Sequence, residues 1–281
     1  MTADDLRRQQ VRKWNAVADG WARWWPVFER AAQPVSDRLV DLGRIGAGHR
    51  VLDIATGIGE PALTAAQRVG PSGRVVATDC APDMLRQAAR RAEAMALTNL
   101  DFLEMDGERP DFAAASFDAV LCRWGLMFVP DLTAAFEHYA TLLRPGGRFA
   151  AAVWGQPEEV PLIHLPGSVL AEHVPVPDSA AAPFGPFRLS EDGLMQDLMA
   201  GAGFRDIARE EVQATFTFAS AQECTRFRRD VSSADDLLAE HHPADAIEAA
   251  WRAVTEATGD YADESGTVRL VNTVVCYSGT R

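Results

Sequence analysis

The stretch VLDIATGIGE, residues 51–60, runs from apolar residues into Asp53 and then into Gly57 and Gly59. Glycines spaced this closely let a backbone turn approach a ligand without a Cβ in the way. Gly57-Ile58-Gly59-Glu60-Pro61-Ala62 satisfies the G-x-G-x-x-G/A dinucleotide pattern, and Asp79 follows about twenty residues later, where a ribose-binding acid belongs. A nicotinamide enzyme is therefore the first rival reading. Asp53 argues against it, because a carboxylate at the strand end repels a diphosphate and suits a ligand that carries a positive amino group.

These residues need a scaffold that brings strand ends together. Apolar runs of strand type (HRVLDI, GRVVATD, LDFLEMD, FDAVLCRW, GRFAAAVW) alternate with helical patterns (PALTAAQRV, APDMLRQAARRAEAM, DLTAAFEHYATLL). That alternation predicts βαβ units and a doubly wound parallel sheet. Pro61 and Pro82 suit helix starts, and Pro145-Gly146-Gly147 is expected to end a helix and turn into a strand. FRDIAREEVQATFTF reads as a sixth strand and VRLVNTVVCYSG as a seventh. In such sheets ligands bind at the carboxyl ends of the strands, which is where the glycine turn lies.

The segments DIATGIG, TDCAPDML, EMDGE, FDAVLCRWGLMFVPD and LLRPGGRF, in that order, resemble the successive motifs of class I S-adenosylmethionine-dependent methyltransferases, over roughly residues 10–155. The likeness is greatest to the branch that holds the ubiquinone and menaquinone C-methyltransferases and many natural-product methyltransferases. It implies a Rossmann-like α/β fold, a seven-stranded, mostly parallel sheet with an antiparallel last strand, and S-adenosylmethionine as cofactor. It also implies roles. Asp53 would lie near the methionyl amino group, with Ala55, Gly57 and Gly59 as a backbone cradle and Thr56 in the same turn. Asp79 would take the ribose hydroxyls, and Cys80 and Met84 would flank ribose and adenine. Asp106 would accept from the adenine amine, with the Gly107 backbone at the ring edge. Cys122 and Arg123 would floor the methionine side and look towards the substrate. Ala55 stands where the broader pattern often has glycine. Each acid also has a plainer role open to it, Asp53 and Asp79 as helix caps and Asp106 as a turn residue.

Composition bounds the partners. A chain of 281 residues, 47% hydrophobic, with net charge −13 and Lys13 as its only lysine, is not built to neutralise nucleic-acid phosphates. The four cysteines have no metal or disulfide spacing, so no metal is expected. A charged N-terminal stretch and the lack of any run near eighteen apolar residues predict a cytoplasmic protein without membrane insertion.

Six segments are expected: an N-terminal helical element (1–32), the cofactor-binding core (33–154), a cap insertion (155–189), a core continuation (190–218), a helical cap insertion (219–263) and the final strand (264–281). Trp14, Val17, Trp21, Trp24, Trp25 and Phe28 follow helical spacing, as a stripe packed on the core, as a lid over substrate, or as both. The same helix could reach a neighbouring subunit, giving a homodimer. The apolar cap points to a small, apolar or aromatic methyl acceptor, methylated at carbon or oxygen. Methylation coupled to cyclisation, cofactor binding without transfer, and a non-catalytic binding protein are the alternatives. Asp235, Asp236, Glu240 and Asp245 could attract a cationic substrate or simply be solvated. His138, His164, His173, His241 and His242 are the histidines weighed as a base, and no catalytic residue is assigned.

Overall fold

The computed structural model describes residues 3–177 and 184–281. The chain opens with a 40-residue helix, α1 (Ala3–Leu42). Alternation then follows as β1 (Arg50–Ile54), α2 (Ala62–Val69), β2 (Arg74–Asp79), α3 (Pro82–Ala94), β3 (Leu100–Glu104), β4 (Phe117–Arg123), α4 (Leu132–Leu142) and β5 (Leu143–Trp154). The remainder is α5 (Pro161–His173), α6 (Leu194–Gly201), β6 (Arg205–Phe218), α7 (Ala221–Asp230), α8 (Ala234–Ala239), α9 (Ala244–Gly259) and β7 (Val268–Thr280).

The strands form one sheet in the order β3-β2-β1-β4-β5-β7-β6. β7 runs antiparallel to both its neighbours, while the pairs among β1 to β5 are parallel. Successive connections leave β1 to one side and β4 lies on the other, so the topological switch falls between them, and a crevice opens at their carboxyl ends. β1 is buried along Val51–Ile54, as a central strand covered on both faces should be. Pro82 is the first residue of α3, and Asp131 caps α4 by accepting from the Ala134 N–H at 3.0 Å.

Two expectations need correction. The boundary at residues 32 and 33 cuts through α1, which is continuous because one buried stripe, Phe28, Ala31, Ala32, Val35 and Leu39, keeps helical spacing across it. Pro145-Gly146-Gly147 does not terminate α4, which ends at Leu142; the triplet forms a bulge within β5, where the pairing jumps from Phe117↔Leu143 to Ala119↔Arg148 and Gly146 takes a φ of 82°. The two cap insertions pack on one another, since Leu170 and Val174 share one apolar cluster with Leu238, Ile247, Ala250, Trp251 and Val254. Residues 178–183 of the first insertion and residues 1 and 2 of the N-terminal element lie outside the described residues.

α1 has two jobs along its length. Its C-terminal half packs on β4 to β7. Its N-terminal half brings Val17 and Ala18 against Ile58, Ala81 and Met84, with Trp14 and Trp21 alongside, so it closes over the β1–α2 and β2–α3 turns.

Candidate functional site

A cavity of about 670 Å³ lies over the carboxyl ends of β1, β2, β3 and β4. Its floor comes from the turns that follow these strands. Ala55, Thr56 and Gly57 line it after β1, Asp79, Cys80 and Met84 after β2, Asp106 and Gly107 after β3, and Arg123 and Trp124 at the end of β4. α1 supplies a wall through Lys13, Trp14, Val17, Trp21 and Phe28. Trp154, Leu162 and Ile163 continue it, and Phe227, Arg228, Val231 and Leu237 bring in the cap. The volume falls in the range of small-molecule sites, and its wall is mostly apolar.

The floor is held by a few hydrogen bonds. Asp79 accepts from the Gly57 N–H through Oδ2 at 2.8 Å and from the Ala81 N–H through Oδ1 at 2.9 Å. One carboxylate thereby ties the first two turns together, and each oxygen keeps further lone-pair capacity for a ligand. Burial pushes the Asp79 pKa up, and the backbone donors Ala81, Gly57 and Cys80 work against that rise. Ala55 has a φ of 56° and Gly57 one of 56°, so both occupy the left-handed region; the residue standing in for the family's glycine tolerates the strained conformation.

Asp53 does not line the cavity. It is fully buried behind the turn, where Oδ2 accepts from the Ala62 N–H at 3.1 Å at the start of α2. Oδ1 has no well-aligned hydrogen bond, and the Thr56 hydroxyl, from a turn on the cavity wall, is the side-chain donor that bears on this carboxyl. Burial raises the Asp53 pKa to about 7, with the Thr56 hydroxyl and then the charge of Arg123 opposing the rise. Because the folded pKa lies above the unfolded one, the stabilisation this group offers in its protonated form is lost as pH rises through about 7.

Gly59 and Cys122 also sit outside the lining. Gly59 packs with no room for a side chain, since a Cβ there would come within 3.0 Å of Leu63 and 3.3 Å of Ala88. Cys122 is fully buried, and burial pushes its thiol up to about 12, as it does that of Cys80, so neither is a nucleophile at neutral pH. Asp106 accepts from the Glu108 N–H at 2.9 Å and pairs with Arg7 of α1, so the acid expected to meet an adenine amine already has a cationic neighbour. Tyr139 donates to the Gly107 carbonyl at 2.5 Å and fixes that loop from below.

Arg123 corrects the expectation that it looks towards the substrate. Its guanidinium turns under α1 and is held by Glu29 through two bonds, 2.8 and 3.1 Å long, and by Ser36 at 2.8 Å. It touches the cavity but spends its donors on the helix. No histidine lines the cavity among the described residues, so the histidines considered as bases do not meet there. His138, His173 and His242 instead bond the carbonyls of Pro110, Val169 and Pro175. The cap acids do not gather there either: Asp235 is engaged by Arg229 at 2.9 Å and by the Trp251 indole.

Several residues of the site were not singled out in the sequence. Trp124 and Trp154 stack at 4.4 Å with their planes 13° apart, side by side on the cavity wall. Glu29 and Arg228 were missed although each breaks a buried stripe. Glu29 lies three and seven residues before Ala32 and Ser36 on α1, and Arg228 shares a face of α7 with Cys224, Phe227 and Val231. A charge at such a position was the available signal.

Of the tryptophan stripe, Trp14 and Trp21 line the cavity, whereas Trp24 donates to Asp230 at 2.7 Å and Trp25 lies under Arg91. The stripe is thus both packing and wall.

A family model described as a methyltransferase domain matches residues 51–147. Aklanonic acid methyltransferase DauC of Streptomyces sp. strain C5 is 38% identical over 151 residues, which cover 50% of this chain and 67% of that protein. Nocamycin O-methyltransferase of Saccharothrix syringae is 41% identical over 116 residues, 41% of each chain, so this chain spans less than half of that relative. Among solved structures, the [4+2]-cyclase SpnF aligns over 96% of this chain and 97% of its own, with a TM-score of 0.56 at 16% identity, a likeness of fold.

Proposed function

We propose that this chain, which belongs to the S-adenosylmethionine-dependent methyltransferases, transfers a methyl group to an oxygen or carbon of a small, apolar or aromatic metabolite. The observation that carries this reading is one continuous cavity with two different ends. Acids and tight backbone turns line the end over β1, β2 and β3, and tryptophan, phenylalanine and leucine line the end under the cap. The relatives named for aklanonic acid and nocamycin support a small natural product as acceptor.

The residues at the first end fit the cofactor. Asp79 retains acceptor capacity for two ribose hydroxyls, the Gly57 turn leaves space within 4 Å where a Cβ would stand, and the Asp53 Oδ1 atom is buried with no well-aligned donor. S-adenosylmethionine supplies a methyl group on a positively charged sulfur, which an acceptor lone pair takes in line as the carbon–sulfur bond breaks. The protein's part is placement and exclusion of water. Trp124, Trp154, Trp21 and Phe28 form a rigid apolar wall against which a flat acceptor can stack. Cys80 and Cys122 are held as thiols and no histidine lines the wall among the described residues, so neither residue type supplies a base for proton loss where oxygen is methylated. Incubation with methyl-labelled S-adenosylmethionine and a panel of aromatic natural-product precursors should yield products heavier by one labelled methyl. Release of S-adenosylhomocysteine without a labelled product would contradict transfer to such acceptors.

Asp53 gives the cofactor reading a pH signature. Its carboxyl titrates near pH 7 because of burial. A bound ammonium nearby favours the ionised form, so S-adenosylhomocysteine binding should release a proton, and affinity should rise with pH up to about 7. Calorimetric binding enthalpies in buffers of different ionisation enthalpy, at about pH 6.5, should differ accordingly. Identical enthalpies in all buffers would rule out an ammonium beside Asp53.

A further inference from the structure

The apolar end of the cavity contains a half-buried cation that no carboxylate neutralises among the described residues. Arg228 lines the cavity from α7, between Phe227 and the α7–α8 connection. Its Nε is buried with no hydrogen-bond partner. Burial lowers its pKa to about 10, and the thiol of Cys224 is the one group whose charge opposes that, so no carboxylate bears on it among the described residues. The guanidinium is nevertheless charged at neutral pH. The next residue provides a contrast: Arg229 is gripped by Asp235 at 2.9 Å and by Glu248 at 2.7 Å. Arg123 has Glu29 at 2.8 Å, and Lys13 rests over the rings of Trp14 and Phe128 at 5.6 and 5.4 Å. Among the cations of this cavity, Arg7 and Arg123 have carboxylate partners and Lys13 has ring faces, whereas Arg228 has neither among the described residues.

Two more buried donors on the cavity lining lack partners, the indole nitrogens of Trp21 on α1 and of Trp124 at the end of β4. The Asp53 carboxyl and the Thr56 hydroxyl that bears on it belong instead to the glycine turn. Arg7 lies with Asp106 and Lys13 over Trp14 at the turn end of the cavity, so the cation with no carboxylate or ring face to meet is the one on the cap side, Arg228. Burying an unpaired charge is costly unless a ligand completes it, and a guanidinium's planar fork matches a carboxylate.

We propose that the methyl acceptor is an aromatic acid ionised at neutral pH, and that Arg228 is the specificity-determining residue that holds its carboxylate, with the Trp21 and Trp124 N–H groups as further donors to the acceptor's oxygens. This rests on the methyltransferase reading of the cavity. The apolar wall takes the flat frame of the acceptor, and Arg228 sets its orientation.

Calorimetric titration with anthraquinone-2-carboxylate and with its uncharged carboxamide tests the assignment, on the protein alone and on the protein saturated with S-adenosylhomocysteine. The carboxylate should bind at least about tenfold more tightly than the carboxamide. Arg228→Gln should abolish that preference while leaving S-adenosylhomocysteine affinity unchanged, and Arg228→Lys should keep part of it. Equal affinities in the wild type, no binding of the carboxylate, or a preference that survives Arg228→Gln would each overturn the assignment. Absence of S-adenosylhomocysteine binding would instead strike the methyltransferase reading, and the carboxylate preference of the protein alone would still be read separately.

Discussion

Asp79→Ala should weaken S-adenosylhomocysteine binding by about a hundredfold or more, because hydrogen bonds from two ribose hydroxyls to a buried carboxylate contribute about 1.5–3 kcal/mol each. The same change removes the acceptor that ties the Gly57 and Ala81 N–H groups at 2.8 and 2.9 Å, so the two turns lose their common anchor as well. Folding should suffer much less than binding. Burial already disfavours the charge of Asp79, as its raised pKa shows, so deleting the group removes a desolvation cost along with two hydrogen bonds. Calorimetry for affinity and a thermal melt of the unliganded protein separate the two effects. Affinity within about threefold of wild type would mean that Asp79 serves only as the turn's anchor.

The second large effect is expected far from the cofactor chemistry. Arg123 and Glu29 form a buried pair, with side chains 6% and 8% exposed, joining the end of β4 to the middle of α1. Glu29→Ala would leave a guanidinium buried beside Ala32, Ser36 and the aromatic faces of Phe28 and Trp124. Breaking such a pair costs about 3–5 kcal/mol, which corresponds to a fall in Tm on the order of 10 °C for a chain of this size. The double variant Glu29→Leu/Arg123→Met should recover much of that loss, because apolar groups of similar volume need no partner. A double variant as unstable as the single one would show that the pair contributes more than mutual neutralisation. Since α1 forms the cavity wall through Trp14, Trp21 and Phe28, Glu29→Ala should also weaken binding of an aromatic acceptor.

The sheet and the glycine turn were legible in the sequence because each depends on local pattern. Alternating apolar runs and helical stripes require parallel strands covered on both faces, and Gly57 and Asp79 sit where strand ends must converge. What the pattern could not show is which way a side chain turns after the chain folds. Arg123 occupies the anticipated strand end, yet its donors face α1, because Glu29 lies 94 residues away in sequence and adjacent in space. Asp53 likewise anchors the start of α2 with one oxygen and leaves the other without a well-aligned hydrogen bond. The cap was read as two insertions because α5 and α9 are separated by a core strand, although Leu170 and Trp251 share one cluster. Arg228 escaped notice for a similar reason. In the sequence it is one of several arginines in TRFRRD, and only the carboxylates that fold against Arg229 and not against it tell the two apart.

The central claim, that the cavity over the glycine turn holds S-adenosylmethionine, is tested most directly by calorimetric titration of the wild-type protein with S-adenosylhomocysteine, with NADH as the parallel ligand. Binding of S-adenosylhomocysteine with a Kd on the order of micromolar, and none of NADH, is the predicted result. Binding of NADH in place of S-adenosylhomocysteine would contradict it and return the G-x-G-x-x-A turn to the nicotinamide reading.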